Sequence, residues 1–275
     1  MNTYKKSVLL FIICLIAFIK ANAAVVDTVI THSTSMHKDI KTVVIKPAGY
    51  STAKKFPVLY LLHGFSGNYS DWILKVPAIT KLADQYQVII VCADGNFAGW
   101  YYDSPVNKDW QYETYVGTEL VNYVDKHYST IANRSGRAIT GLSMGGHGAM
   151  YIAFKHQDTF GAVGSMSGAV DIRPFSDAFG IEQVLGKYSE HPEIWEKNSV
   201  INMIYLLKPN SLAITFDCGY DDFLYQVNLA FHNELLMRKI PHDFTVRPGS
   251  HTWEYWGNSI VYQMLFFSRY FNKIK

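Results

Sequence analysis

The sequence predicts an α/β fold, one mostly parallel twisted sheet with helices on both faces. Three observations predict it. Short, wholly apolar runs such as Val58-Leu59-Tyr60-Leu61-Leu62 and Val88-Ile89-Ile90-Val91-Cys92-Ala93 have the length and content of strands buried on both faces. Helix-like stretches, Trp72 to Gln85 and Thr114 to Tyr128, alternate with them. The stretch from Arg137 to Met150 reads as a strand, a forced tight turn and the start of a helix, with Gly141-x-Ser143-x-Gly145 at its centre.

The elements follow in order. Residues Met1 to Lys6 carry two lysines, Val8 to Ile19 are an unbroken apolar run, and Lys20 leads into Ala21-Asn22-Ala23. This reads as a secretory signal peptide over residues 1–23, since the apolar run is shorter than the roughly 20 residues that span a bilayer. Cys14 follows Ile13, not a small residue, so it does not read as an acylation site. Residues 24–275 then form a single exported domain, periplasmic or secreted, with no membrane attachment after cleavage. At 275 residues, 49% apolar and a net charge of +2, the chain is long enough for one sizeable core. No run of Lys and Arg is long enough to make a basic face, which excludes nucleic acid as a partner.

Val25 to Ile30 and Ile40 to Ile45 predict two antiparallel opening strands. The strand at Val58 ends in His63-Gly64-Phe65-Ser66-Gly67, at the carboxyl edge where such sheets place ligands. The Phe65 backbone N–H is expected there as one oxyanion donor, and the Met144 N–H as the other. His63 itself reads as structural. Beyond the next strand, Phe97 to Tyr112 is too densely and aperiodically aromatic for an amphipathic helix. Trp100, Tyr101 and Tyr102, with Trp253 later in the chain, are expected to bind substrate by stacking.

Glycines two residues either side of Ser143 let strand and helix approach closely, and the turn lifts the hydroxyl to a helix N-terminus suited to developing negative charge. Phe160 to Gly168 reads as a small-residue strand. Residues 169–209, with Phe175, Phe179 and Trp195, form a partly helical cap over the site. The strand Ser211 to Gly219 ends in Tyr220-Asp221-Asp222. A carboxylate just past it would orient a histidine. Asp221 is the expected acid; Asp222 is the rival, explained as a capping charge on a helix over residues 223–239. After a last strand at His242 to Val246, His251 sits on a loop from which it can reach a serine above the sheet. Ser143, Asp221 and His251 are thus the expected catalytic residues. No His-x-x-x-His or Cys-x-x-Cys spacing occurs, so neither metal nor cofactor is expected.

With Leu61-Leu62-His63-Gly64, Gly141-Leu142-Ser143-Met144-Gly145-Gly146, Asp217-Cys218-Gly219-Tyr220-Asp221 and Gly249-Ser250-His251-Thr252-Trp253 assembled, the chain resembles the putative-esterase (esterase D) family of α/β-hydrolases. That family includes feruloyl and acetyl esterases, S-formylglutathione hydrolases and mycolyltransferases. The resemblance runs from about Val43 to the C-terminus. It implies the α/β-hydrolase fold, an acyl-enzyme mechanism, and the nucleophile, acid and base at Ser143, Asp221 and His251. In the implied sheet order Cys92 and Cys218 lie three strands apart, too far for a disulfide. The expected activity is a secreted serine carboxylesterase acting on acetyl or feruloyl esters of plant polysaccharide. A thioesterase of the S-formylglutathione hydrolase kind, a short-chain esterase and a non-catalytic binding module are the alternatives.

Overall fold

The computed structural model describes residues 23–273, so the signal peptide expected over residues 1–23 lies almost entirely outside the described residues. Eight strands form one sheet: β1 (Val25–Ser33), β2 (Lys38–Lys46), β3 (Val58–Leu62), β4 (Ile89–Ala93), β5 (Arg137–Gly141), β6 (Ala162–Met166), β7 (Ala213–Gly219) and β8 (Asp243–Arg247). Their order across the sheet is β1-β2-β4-β3-β5-β6-β7-β8. The first two strands are antiparallel to each other, and β2 is antiparallel to β4; every later pair is parallel.

The apolar runs become central strands because both faces are covered. Along β3, Val58, Tyr60 and Leu62 join one core while Leu59 and Leu61 join the other, and β4 divides in the same way. That is the two-residue period of a pleated strand with no solvent face. One core packs under α3 (Leu120–His127), α4 (Met144–Lys155) and α7 (Tyr225–Met237); the other packs under α1 (Asp71–Lys75), α2 (Ile79–Tyr86) and α8 (Trp253–Asn272). The helix expected over residues 72–85 is therefore two helices. Pro77 has no amide hydrogen to continue the ladder, and the chain leaves helical geometry at Val76. The helix expected from Thr114 begins at Tyr112 and passes through a π-turn, Tyr115–Glu119, before α3.

The segment read as a cap contains only short helices, α5 (Glu182–Leu185) and α6 (Pro192–Asn198), with 3-10 turns at Arg173–Phe175 and Val200–Leu206. It is anchored rather than perched. Val170, Ile172, Ile181, Val184, Leu185, Trp195 and Val200 are buried in the same core as β3 and β5. Cys92 on β4 and Cys218 on β7 are free, buried thiols with β3, β5 and β6 between them, as the expected order requires. From β3 the chain moves outward to β4 and later returns to β3's other side as β5. The loops after β3 and β5 therefore flank the crevice where strand order reverses.

Candidate active site

The turn after β5 places Ser143 at φ 53°, ψ −118°, a conformation a residue with a side chain holds only when its surroundings enforce it, at a cost of about 1–3 kcal/mol. The two glycines make the enforcement possible. A Cβ on Gly141 would sit 2.8 Å from that of Leu62, and one on Gly145 would sit 2.7 Å from the Leu62 carbonyl oxygen. The first would push α4 off β5, and the second would push it off β3. The Ser143 N–H donates to the Met166 carbonyl at 2.9 Å, which pins the turn to β6.

His251, on the loop after β8, reaches this serine. Its Nε2 lies 2.8 Å from Ser143 Oγ. Its Nδ1 lies 2.8 Å from Asp222 Oδ2 and 3.1 Å from Oδ1. Because a carboxylate only accepts, the proton sits on Nδ1, and Nε2 presents its lone pair to the serine.

The carboxylate is thus that of Asp222, and the expectation of Asp221 is corrected. Beyond β7, the Tyr220 N–H donates to Arg247 and the Asp221 N–H donates to the Gly249 carbonyl at 3.1 Å, so the chain runs along the histidine loop. That course leaves Asp221 exposed and turns Asp222 inward, with its side chain wholly buried beneath His251. The capping reading of Asp222 is corrected with it: its Oδ1 accepts from the Leu224 N–H at 2.8 Å, a bond that closes the turn before α7, and the helix itself, which starts at Tyr225, takes no side-chain cap. One carboxylate serves both the turn into α7 and the imidazole. Asp217 lies elsewhere. It is buried in β7, accepting from Tyr255 at 3.0 Å and Gln263 at 2.8 Å, and burial raises its pKa against those bonds.

The N–H groups of Phe65 and Met144 donate to no protein acceptor among the described residues, although their neighbours do: Ser66 to Phe97 at 2.8 Å, Gly67 to Gly64 at 3.1 Å and Gly145 to Leu142 at 2.7 Å. The Phe65 turn is held by His63, whose Nδ1–H donates to the Gly64 carbonyl at 2.8 Å while Nε2 accepts from the Gly95 N–H at 2.8 Å. Burial lowers the pKa of His63, so it stays neutral in its structural role.

Around the serine opens a cleft of about 630 Å³. It is lined by Leu142, Ser143 and Ala169, by the phenylalanines Phe65, Phe175, Phe179 and Phe223, by the indoles of Trp100, Trp253 and Trp256, and by Asp71 and Lys75. A family model described as Putative esterase matches residues 33–267. The chain belongs to that family. It is a serine esterase, a carboxylic ester hydrolase of the α/β-hydrolase type. The esterase is 26% identical over 224 residues to an acetyl esterase of Caldicellulosiruptor saccharolyticus, covering 76% of this chain and 82% of the relative. A solved ferulic acid esterase superposes with a TM-score of 0.79 at 30% identity, covering 91% of this chain and 99% of that one. An S-formylglutathione hydrolase from Agrobacterium tumefaciens shares the fold with a TM-score of 0.77 at 19% identity, covering 92% and 97%.

The esterase uses only part of its aromatic loop at the cleft. Trp100 and Trp253 line it. Tyr101 and Tyr102 do not, and their expected stacking role is corrected: both are fully buried. Tyr101 donates to the His63 carbonyl at 3.1 Å, and Tyr102 meets His147 Nε2 at 2.6 Å. His147, whose Nδ1–H donates to the Ala169 carbonyl at 2.9 Å, has its pKa lowered by burial to about 4. Sequence reasoning missed Phe223 and Trp256, which touch His251 from two sides with ring centroids 4.6 and 4.8 Å away. The signal was available, because each lies within five residues of a triad candidate.

Proposed function

We propose that this is an exported serine carboxylesterase that removes acetyl or feruloyl groups from plant polysaccharide, with Ser143 as nucleophile, His251 as base and Asp222 as the orienting acid. One observation carries the reading: His251 bonds Ser143 through one ring nitrogen and Asp222 through the other, each at 2.8 Å. His251 Nε2 takes the hydroxyl proton as Ser143 Oγ bonds to the ester carbonyl carbon. The resulting oxyanion is held by the Phe65 and Met144 amides, each worth about 3 kcal/mol of barrier. The imidazolium then protonates the alcohol oxygen as its bond to the acyl carbon breaks. Water, deprotonated by the same nitrogen, attacks the acyl-enzyme; the acid leaves and Ser143 recovers its proton.

The acetyl esterase and ferulic acid esterase relatives support the acyl classes. The lysine-flanked apolar run before Ala23 supports export, and export favours an extracellular polymer over a cytosolic thioester. The test is release of acetate and ferulate from xylan fragments by the purified protein and by Ser143→Ala. The variant is expected to be inactive; equal release by both proteins would overturn the assignment of the nucleophile. Release of neither acid, with glycerol esters cleaved, would overturn the polymer.

A further inference from the structure

The cleft wall is a continuous belt of rings that changes character at His251. From Phe65 the ring centroids run 5.7 Å to Phe179, 6.0 Å on to Phe223 and 4.6 Å to His251. Past His251 they run 4.8 Å to Trp256, 5.5 Å to Trp253 and 5.3 Å to Trp72 on α1, which brings in Asp71 and Lys75. On the first side the rings of this run are phenylalanines, and the indole beside them, Trp100, donates its N–H to the Phe179 carbonyl at 3.0 Å, so no ring there has a polar atom left for a hydroxyl-bearing ligand. Phe179 is 37% exposed and Phe223 is 51% exposed, apolar surface that a bound apolar group would cover. On the second side, Asp71 and Lys75 lie one helical turn apart on α1, yet among the described residues neither side chain forms an ion pair or hydrogen bond. Two charges facing a cleft without partners, beside a half-buried indole, suit a polyhydroxylated ring. Its C–H face stacks on Trp253 while its hydroxyls bond the carboxylate and the ammonium.

We propose that the cleft is divided at His251. The acyl half of the ester lies against Phe179 and Phe223, and the alcohol half, a sugar, lies against Trp253, Asp71 and Lys75. This rests on the esterase reading above and narrows it: the preferred substrate joins an aromatic acid to a sugar, and ferulate is favoured over acetate. His251, at the boundary, is placed to protonate the bond between the halves.

The experiment compares kcat/KM of the full protein on four esters, the methyl and arabinofuranosyl esters of acetic and ferulic acid. Ratios are read, so that the fraction of folded enzyme cancels. Wild type is expected to prefer ferulate with either alcohol. Phe179→Ala is expected to lower the ferulate-to-acetate ratio about tenfold whichever alcohol is used, the upper range for loss of an aromatic pair. Lys75→Ala is expected to lower the sugar-to-methyl ratio about fivefold whichever acid is used, the size of a lost hydrogen bond. A preference for acetate, or variants that move both ratios together or neither, would overturn the division. Cleavage of none of the four esters by wild type would instead overturn the esterase reading beneath it.

Discussion

Two aromatic clusters flank Ser143, and they do opposite work. Tyr101 and Tyr102 are fully buried, packed against α4, with a hydroxyl bonded to the turn that presents Phe65 and another bonded to His147. Phe65, Phe179 and Phe223 stand on the other flank around open space, two of them more than a third exposed. The tyrosines have polar tips, and buried polar tips must be bonded, which fixes them as struts. The phenylalanines have nothing to anchor and are free to meet a ligand. The lesson is that ring density in the sequence does not say which way the rings face.

The sharpest break in this comparison lies on the open flank, where adjacent acids have different fates. Asp222→Asn is expected to lower kcat on p-nitrophenyl acetate by about 10⁴-fold, because the histidine loses the partner that holds its tautomer. Asp221→Asn, at an exposed position, is expected to stay within about threefold. A reversed order would return the acid's role to Asp221. On the built flank, Tyr101→Ala is expected to cost about 4 kcal/mol of unfolding free energy in urea titration, as for other buried rings. A loss under about 1 kcal/mol would show that the strut is not one.

Acid should act on the same flank. The neutral form of His147 is held with a pKa of about 4 against an ordinary 6.5, so the unfolded chain takes up a proton before the folded one does. Its contribution to stability is complete above about pH 6.5 and is lost between there and pH 4, roughly 3 kcal/mol in all. His147→Gln should flatten that part of the decline. Equal slopes in variant and wild type over that window would remove His147 as its cause. The smallest effect belongs to the rim: Phe97→Ser, at an exposed ring, is expected to change stability by no more than about 0.5 kcal/mol in the same titration.

What could be read in advance follows from where information sits in the chain. Ser143 and the two glycines beside it are specified by local crowding against Leu62, and local crowding leaves a motif. Central strands announce themselves because both faces are dry. His251 is located by its place after the last strand. The choice between Asp221 and Asp222 was not legible, since it is decided by the hydrogen bonds from Tyr220 and Asp221 to the histidine loop, partners about 27 residues away. A one-residue step in a turn reverses which side chain points inward, and no composition rule records that. Pro77, in contrast, was there to be read as a helix breaker inside the stretch expected to be continuous.

The pair Cys92 and Cys218 gives the molecule an unusual freedom. Held apart by three strands, they cannot cross-link within one folded chain, and burial pushes the Cys92 thiol up to about 12 and raises that of Cys218 as well. Neither is a thiolate at neutral pH while the chain is folded. Neither of these two thiols therefore needs an oxidant on folding, and mild alkylating reagents leave both untouched in the native molecule, so that carboxymethylation at these two positions becomes a clock for opening of the sheet itself.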